Sequence, residues 1–272
     1  MDRVGLIQMT SGPDPQANLA YIEQQVAALA EQGATWVITP ENAVVFGSRS
    51  DYHYFAEPLN QGPIQAQIAQ MARRYRLWIV MGSLPIQREH GVSTTLLVFN
   101  SDGELVSHYD KLHMFDVDVA DSHQRYRESE TFAAGSEIVT IETPFAHLGL
   151  TICYDVRFPP LFSELAKRGA NVIVVPAAFT AVTGRTHWQP LLTARAIETQ
   201  SWVVAVNQTG VHQGGRQTWG HSMVISPWGE IFASLDEMPG NLLVELDLQA
   251  VHEIRAAMPV LAHSRFTNQI KN

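Results

Sequence analysis

Two hydrophobic periods take turns along the chain, and each change of period marks an element. "VGLIQM" (4–9) is a short apolar run with β-rich composition and predicts a first strand. In "PDPQANLAYIEQQVAALAEQGA" (13–34), Ile22, Val26, Leu29 and Ala30 recur on one helical face, and Gly33 is a stop signal. "TWVIT" (35–39) predicts a second strand, and a helix around 63–75 precedes the strand "LWIVMGS" (77–83). "TTLLVFN" and "ELVSHYD", joined by Ser101-Asp102-Gly103, predict a hairpin, because an Asp-Gly turn reverses a chain with little strain. The strands "HLGLTIC" (147–153) and "NVIVVP" (171–176) flank a helix starting near Phe158. A helix near 187–200 leads into "WVVAVNQ" (202–208); then come the hairpin "GHSMVISPWGEIFASL", the strand "LLVEL" and a short terminal helix.

Helices that alternate with strands, mixed with hairpins, predict a mixed sheet covered by helices, α/β or layered α+β. No Pro/Gly/Ser linker, repeat or low-complexity block divides the 272 residues, so a single domain over 1–272 is expected.

Composition narrows the function. The chain is 46% hydrophobic, which is enough for a sizeable core. The net charge of −9 argues against wide nucleic-acid contact, which needs a basic footprint. No apolar run reaches the roughly 20 residues of a bilayer span, so no membrane partner is expected. "MDRVGLIQMT" lacks the pattern of a secretion signal, and the single cysteine cannot form an intrachain disulfide. The cytoplasm is the expected compartment. The same negative charge means that an anionic ligand would require arginines gathered locally.

Three polar side chains fall just past strands: Glu41 after "TWVIT", Lys111 after "ELVSHYD", and Cys153 at the end of "HLGLTIC". Ligands in open α/β sheets collect beyond the carboxyl ends of strands. Singly, each has an ordinary reading: a lone cysteine is usually a small buried hydrophobe, and Glu41 and Lys111 could be surface charges. Together they have the chemistry of nucleophilic catalysis. A thiol needs a base or a nearby cation before it attacks a carbonyl carbon, and Glu41 and Lys111 supply both.

"PEN" (40–42), "YDKLHMFD" (109–116) and "CYDVRFP" (153–159) resemble, in order and spacing, the three signature blocks of the nitrilase superfamily of carbon–nitrogen hydrolases. The similarity extends over nearly the whole chain. It implies a four-layer α-β-β-α sandwich, pairing into homodimers or higher homo-oligomers, and a Glu-Lys-Cys triad that needs no cofactor and no metal. Glu41 would be general base, Lys111 the oxyanion stabiliser and Cys153 the nucleophile. Glu128, in "RESE" (127–130), would position Lys111 and the substrate. The backbone N–H of Tyr154 would face the oxyanion.

"KLHMFDVDV" (111–119), "TGRTHW" (183–188), "ARAIETQ" (194–200), "GHSMVISPWG" (220–229) and "MPVLAHSR" (258–265) resemble the branch that acts on deaminated glutathione. Arg185 departs from it, standing where Pro is expected. The branch implies a small anionic amide as substrate. Arg157, Arg185 and His187 are the candidates to hold it, and Arg195 is assigned to a helix ion pair with Glu198. The alternatives are α-ketoglutaramate or an N-carbamoyl amino acid as substrate, or a catalytically inactive binding protein of the same fold. A serine hydrolase is disfavoured, since "GHSMV" has Val224 where the nucleophile elbow needs glycine. The histidines show no metal-binding spacing, and no glycine-rich phosphate loop is present.

Overall fold

The computed structural model describes residues 2–121 and 123–270. The first half runs β1 (Arg3–Gln8), α1 (Pro15–Glu31), β2 (Trp36–Ile38), α2 (Arg49–Tyr54), β3 (Glu57–Pro58), α3 (Pro63–Tyr75), β4 (Trp78–Arg88), β5 (Gly91–Phe99) and β6 (Leu105–Asp110). A small hairpin follows, β7 (Asp116–Asp118) and β8 (Arg125–Arg127). Next come β9 (Thr140–Glu142), β10 (His147–Leu150), α4 (Pro159–Lys167), β11 (Val172–Ala177), α5 (Ala181–Thr199) and β12 (Trp202–Asn207). The chain ends with β13 (Thr209–Val211), β14 (Gln217–Trp219), β15 (Met223–Ile225), β16 (Ile231–Ser234), β17 (Gly240–Glu245), α6 (Leu248–Ala257) and α7 (Val260–His263).

The strands form two large sheets, in the orders β17-β1-β2-β4-β5-β6 (with β3 beside β4) and β16-β15-β12-β11-β10-β9. They are built alike. Three parallel strands (β1, β2, β4 and β10, β11, β12) carry an antiparallel strand on one side and an antiparallel pair on the other. The period-2 pleat explains the layering. In β1, Val4 and Leu6 face the second sheet while Ile7 joins the core under α1 and α3. The first core cluster joins both sheets to α4 and α5; the second joins α1 and α3 to the outer face of the first sheet. This is the expected α-β-β-α sandwich.

Parallel strands that are buried on both faces read as continuous apolar runs, as in "VIVVPA" of β11. Boundaries moved where tertiary contacts outweighed local pattern. α5 begins at Ala181, six residues before the expected 187, because Thr180 caps it by accepting from the Thr183 N–H. β10 stops at Leu150, leaving Thr151 and Ile152 as an approach to Cys153. No helix among the described residues is long and apolar enough to cross a membrane.

Candidate active site

Glu41 leaves β2 in a turn pinned from both sides. Thr39 Oγ1 accepts from the Gly82 N–H at 2.8 Å, and the Asn42 N–H donates to Ser83 Oγ at 2.8 Å. Gly82 is required by close approach: a Cβ there would lie 2.1 Å from the Pro40 carbonyl oxygen. Asn42 takes a left-handed conformation (φ 56°), which Asn tolerates better than most residues. The Glu41 carboxylate, 3% exposed, accepts from the Ala178 N–H at the end of β11, Oε2 at 2.8 Å.

Lys111 follows β6 and is held by its backbone: its N–H donates to Thr94 O, and its carbonyl accepts from the Gly135 N–H. Its side chain is 1% exposed. Nζ lies 2.7 Å from Glu41 Oε1 and 2.8 Å from each oxygen of Glu128. Glu128 opens a 3-10 turn (Glu128–Glu130), and its Oε2 also accepts from the Phe115 N–H at 2.6 Å.

Cys153 begins a second 3-10 turn, Cys153–Arg157, with φ 48°, a left-handed conformation rare for a residue with a side chain. Asp155, fully buried, fastens this turn to the Lys111 loop. Its Oδ2 accepts from the Ile152 N–H (2.9 Å) and from Tyr109 Oη (2.7 Å). Its Oδ1 takes the His113 Nδ1 hydrogen bond at 2.7 Å. The Cys153 turn and the Lys111 loop are therefore referenced to one carboxylate.

Glu41, Lys111, Glu128, Cys153 and Tyr154 all line one cavity of about 260 Å³, near the lower end of the roughly 300–1,000 Å³ usual for small-molecule sites. Arg157, Arg185 and His187 are absent from its walls. Arg157 hydrogen-bonds to His187 Nδ1 at 3.3 Å and lies over the Phe179 ring, and Arg185 lies over the Trp219 ring. Arg195 makes its ion pair with Glu198 at 2.8 Å. Ser222 is buried, its hydroxyl donating to Gln8 Oε1 at 2.7 Å and accepting from the Asn207 N–H at 2.9 Å. Sequence reading missed most of the wall, Phe46, Tyr126 and Arg216 among it. Arg216 carried one signal, being the sole Lys or Arg between Arg195 and Arg255.

The charges are strongly coupled. Burial drives the Cys153 thiol well above its ordinary range; the negative Glu41 adds to this, and Lys111 opposes it. Burial also works against ionised Glu41, but the charge and hydrogen bond of Lys111, then Cys153 and Arg216, hold its carboxyl below the usual range. Glu128 goes the other way, raised by burial and by Glu41 despite Lys111. Burial opposes the Lys111 ammonium, yet the two carboxylates raise it above its ordinary value. At neutral pH the site therefore holds a protonated thiol beside an ionised carboxylate and a cation. Among the described residues, no group of three His, Cys, Asp or Glu side chains could hold a metal ion.

The family model described as carbon-nitrogen hydrolase matches residues 3–256. The chain belongs to that family. A Yersinia enterocolitica protein named deaminated glutathione amidase is 47% identical over 98% of this chain and 94% of its own length. The crystal structure of the Caenorhabditis elegans NitFhit protein matches with a TM-score of 0.88 and 35% identity, over 97% of this chain. The chain spans 65% of that protein's length. A Saccharomyces cerevisiae member of branch 10 of the nitrilase superfamily matches with a TM-score of 0.87 and 28% identity, over 97% of both chains.

Proposed function

We propose that this carbon-nitrogen hydrolase is an amidase that cleaves deaminated glutathione to 2-oxoglutarate and cysteinylglycine through a thioester on Cys153. The observation that carries the chemistry is the meeting of Glu41, Lys111 and Cys153 in one buried cavity, with the carboxyl held ionised and the thiol held protonated. The substrate is supported by the name of the Yersinia enterocolitica relative.

A thiol of raised pKa needs its proton removed as it attacks, and Glu41 is the base within reach. Glu41 takes the proton from Sγ as sulfur adds to the amide carbonyl carbon. The oxyanion is stabilised by the Lys111 ammonium and the Tyr154 N–H. The carbon–nitrogen bond then breaks as the Glu41 acid protonates the departing amine. Water, losing its proton to Glu41, adds to the thioester, and collapse releases the carboxylic acid and returns the proton to sulfur. Glu128 holds the ammonium in place through the cycle.

The test is product release together with trapping. Deaminated glutathione should be cleaved with much higher kcat/KM than α-ketoglutaramate or an N-carbamoyl amino acid, and rapid quenching should leave the acyl group on Cys153 by mass spectrometry. Cys153→Ser should fold and lose turnover. Preference for α-ketoglutaramate would make the enzyme an ω-amidase, and substantial turnover by Cys153→Ser would end the covalent mechanism.

The same proposal includes self-association. Ile197 and Trp228 are exposed, and Gly229 packs against Ile197, so an apolar face crosses α5 and the β15–β16 turn. Light scattering should report at least a dimer at micromolar concentration, and a monomer would refute this part.

A further inference from the structure

We propose that Arg216 reads the acyl-side carboxylate of the substrate. The inference rests on the amidase reading above and deepens it by naming the residue that selects a dicarboxylic acyl group.

Four arginines line the cavity: Arg49, Arg125, Arg127 and Arg216. Two are already neutralised, Arg125 by Glu130 at 2.8 Å and Arg127 by Asp118 at 2.9 Å. Arg49 is exposed on α2, where water screens its charge. Arg216 differs from all three. It closes the β13–β14 turn, its carbonyl accepting from the His212 N–H at 2.8 Å. The guanidinium carbon lies 5.0 Å from the centre of the Phe46 ring and 5.3 Å from that of Tyr126. Phe46 is itself stacked on His212, with ring centres 3.9 Å apart. A planar cation bordered by two aromatic rings keeps its hydrogen-bonding edge free and fixed in direction.

That edge is underused. Nη2 donates to the Ala178 carbonyl at 2.7 Å, while Nε is buried with no hydrogen-bond partner. Among the described residues, no carboxylate forms an ion pair with Arg216. A buried charged donor left unpaired is costly, and a carboxylate is the group whose geometry matches the guanidinium fork.

Position selects which carboxylate. Arg216 bonds the carbonyl of Ala178, the same residue whose N–H holds Glu41, and its charge reaches the Glu41 carboxyl. It therefore lies beside the base. In deaminated glutathione the keto-acid carboxylate is four bonds from the scissile carbon, and the glycine carboxylate is six bonds away on the amine side. The nearer anion suits the arginine nearer the base.

The test compares three amides across wild type, Arg216→Gln and Arg216→Lys: deaminated glutathione, its analogue with the keto-acid carboxylate converted to a primary amide, and its glycinamide analogue. In the wild type, neutralising the acyl carboxylate should lower kcat/KM roughly 10- to 100-fold, the range for a hydrogen bond to a charged group. Arg216→Gln should lose about as much on the intact substrate and little on the neutral acyl analogue, so the discrimination collapses. Arg216→Lys, which keeps the charge without the fork, should retain part of it and guards against misfolding of the Gln variant. A uniform loss on all three amides, or a collapse confined to the glycinamide pair, would overturn the inference. Calorimetric binding of 2-oxoglutarate to Cys153→Ser, with and without Arg216→Gln, separates this inference from the substrate reading. Binding weakened at least tenfold by Arg216→Gln, in an enzyme that leaves deaminated glutathione intact, would sink the substrate reading and keep the arginine site. Binding unchanged by Arg216→Gln would sink the site whatever the substrate.

Discussion

Both carboxylate oxygens of Glu128 lie 2.8 Å from the Lys111 ammonium, and Glu41 occupies the remaining direction at 2.7 Å. Three carboxylate oxygens from two side chains thus surround the ammonium. The group is held as a fixed point charge with no freedom to relax. A planar guanidinium cannot reproduce that tripod, although it carries the same charge. Lys111→Arg should therefore lose at least about 10² in kcat, since displacement of about 1 Å at a reacting centre has that effect. Steady-state kinetics on the folded variant measures it, and near-wild-type turnover would reduce Lys111 to a buried structural charge.

Glu128→Gln keeps the shape of the side chain and one acceptor for the ammonium while removing a charge. Lys111 would retain Glu41 but lose part of its anchoring, so kcat should fall by about tenfold or more with little change in KM. An effect confined to KM would place Glu128 in substrate binding instead of in holding Lys111.

The thiol offers a test with a definite sign. Burial holds the Cys153 proton on, and the Glu41 charge adds to that hold, whereas Lys111 favours the thiolate. Removing the charge in Glu41→Gln should move the thiol's titration to lower pH while abolishing turnover. Alkylation by iodoacetamide, followed against pH, should therefore show an earlier midpoint in the variant than in the wild type. A midpoint that stays put or rises would mean that Glu41 does not act on the sulfur.

Much of this site could be read before folding because its parts sit where pattern changes: Glu41, Lys111 and Cys153 each follow a strand, β2 and β6 of one sheet and β10 of the other, and ligands collect beyond strand ends. Helices with strong periodicity were equally plain, and α3 runs over Pro63–Tyr75 as its spacing requires. The rest of the cavity wall was hidden for a physical reason. Phe46 and Arg216 come from loops and Tyr126 from the three-residue strand β8, none with a periodic signal, and only tertiary packing brings their rings and guanidinium together. The three-residue strands β7, β8, β13 and β14 escaped for the same cause, being too short for alternation to register. Arg157 drew attention by lying four residues from Cys153, but the 3-10 turn directs it to His187.

His212 links the site to stability. Its ring is buried, with Nδ1 bonded to the Ser11 carbonyl and Nε2 to Thr218 Oγ1. Burial lowers its pKa from 6.5 to about 4, and Arg216 adds to the effect. The unfolded chain therefore binds this proton more readily than the fold does. The resulting stability is present above pH 6.5 and is lost as pH falls toward 4, amounting to about 3 kcal/mol across that window. Urea unfolding of wild type and His212→Gln at several pH values should show a shallower acid decline in the variant. Parallel curves would mean that His212 does not contribute to it.

The final prediction concerns a residue with no side chain. Thr39, Pro40 and Glu41 turn directly over Gly82, and a Cβ at Gly82 would meet the Pro40 carbonyl oxygen at 2.1 Å and the Thr39 carbonyl oxygen at 2.4 Å. Backbone on one side and a central strand on the other leave neither partner free to yield. Gly82→Ala must therefore push the turn that carries Glu41, whose carboxylate is set by bonds of 2.7 Å to Lys111 and 2.8 Å to Ala178. Overpacking of this kind destabilises by about 1–3 kcal/mol, and displacement of the base should lower kcat by on the order of 10². Gly12→Ala is the control, because nothing lies within 4 Å of a Cβ there. Thermal melting and kcat measured on both variants decide it: Gly82→Ala should lose both quantities and Gly12→Ala neither. Full activity in a stable Gly82→Ala enzyme would show that the Glu41 turn tolerates movement and that its tight seat is not what positions the base.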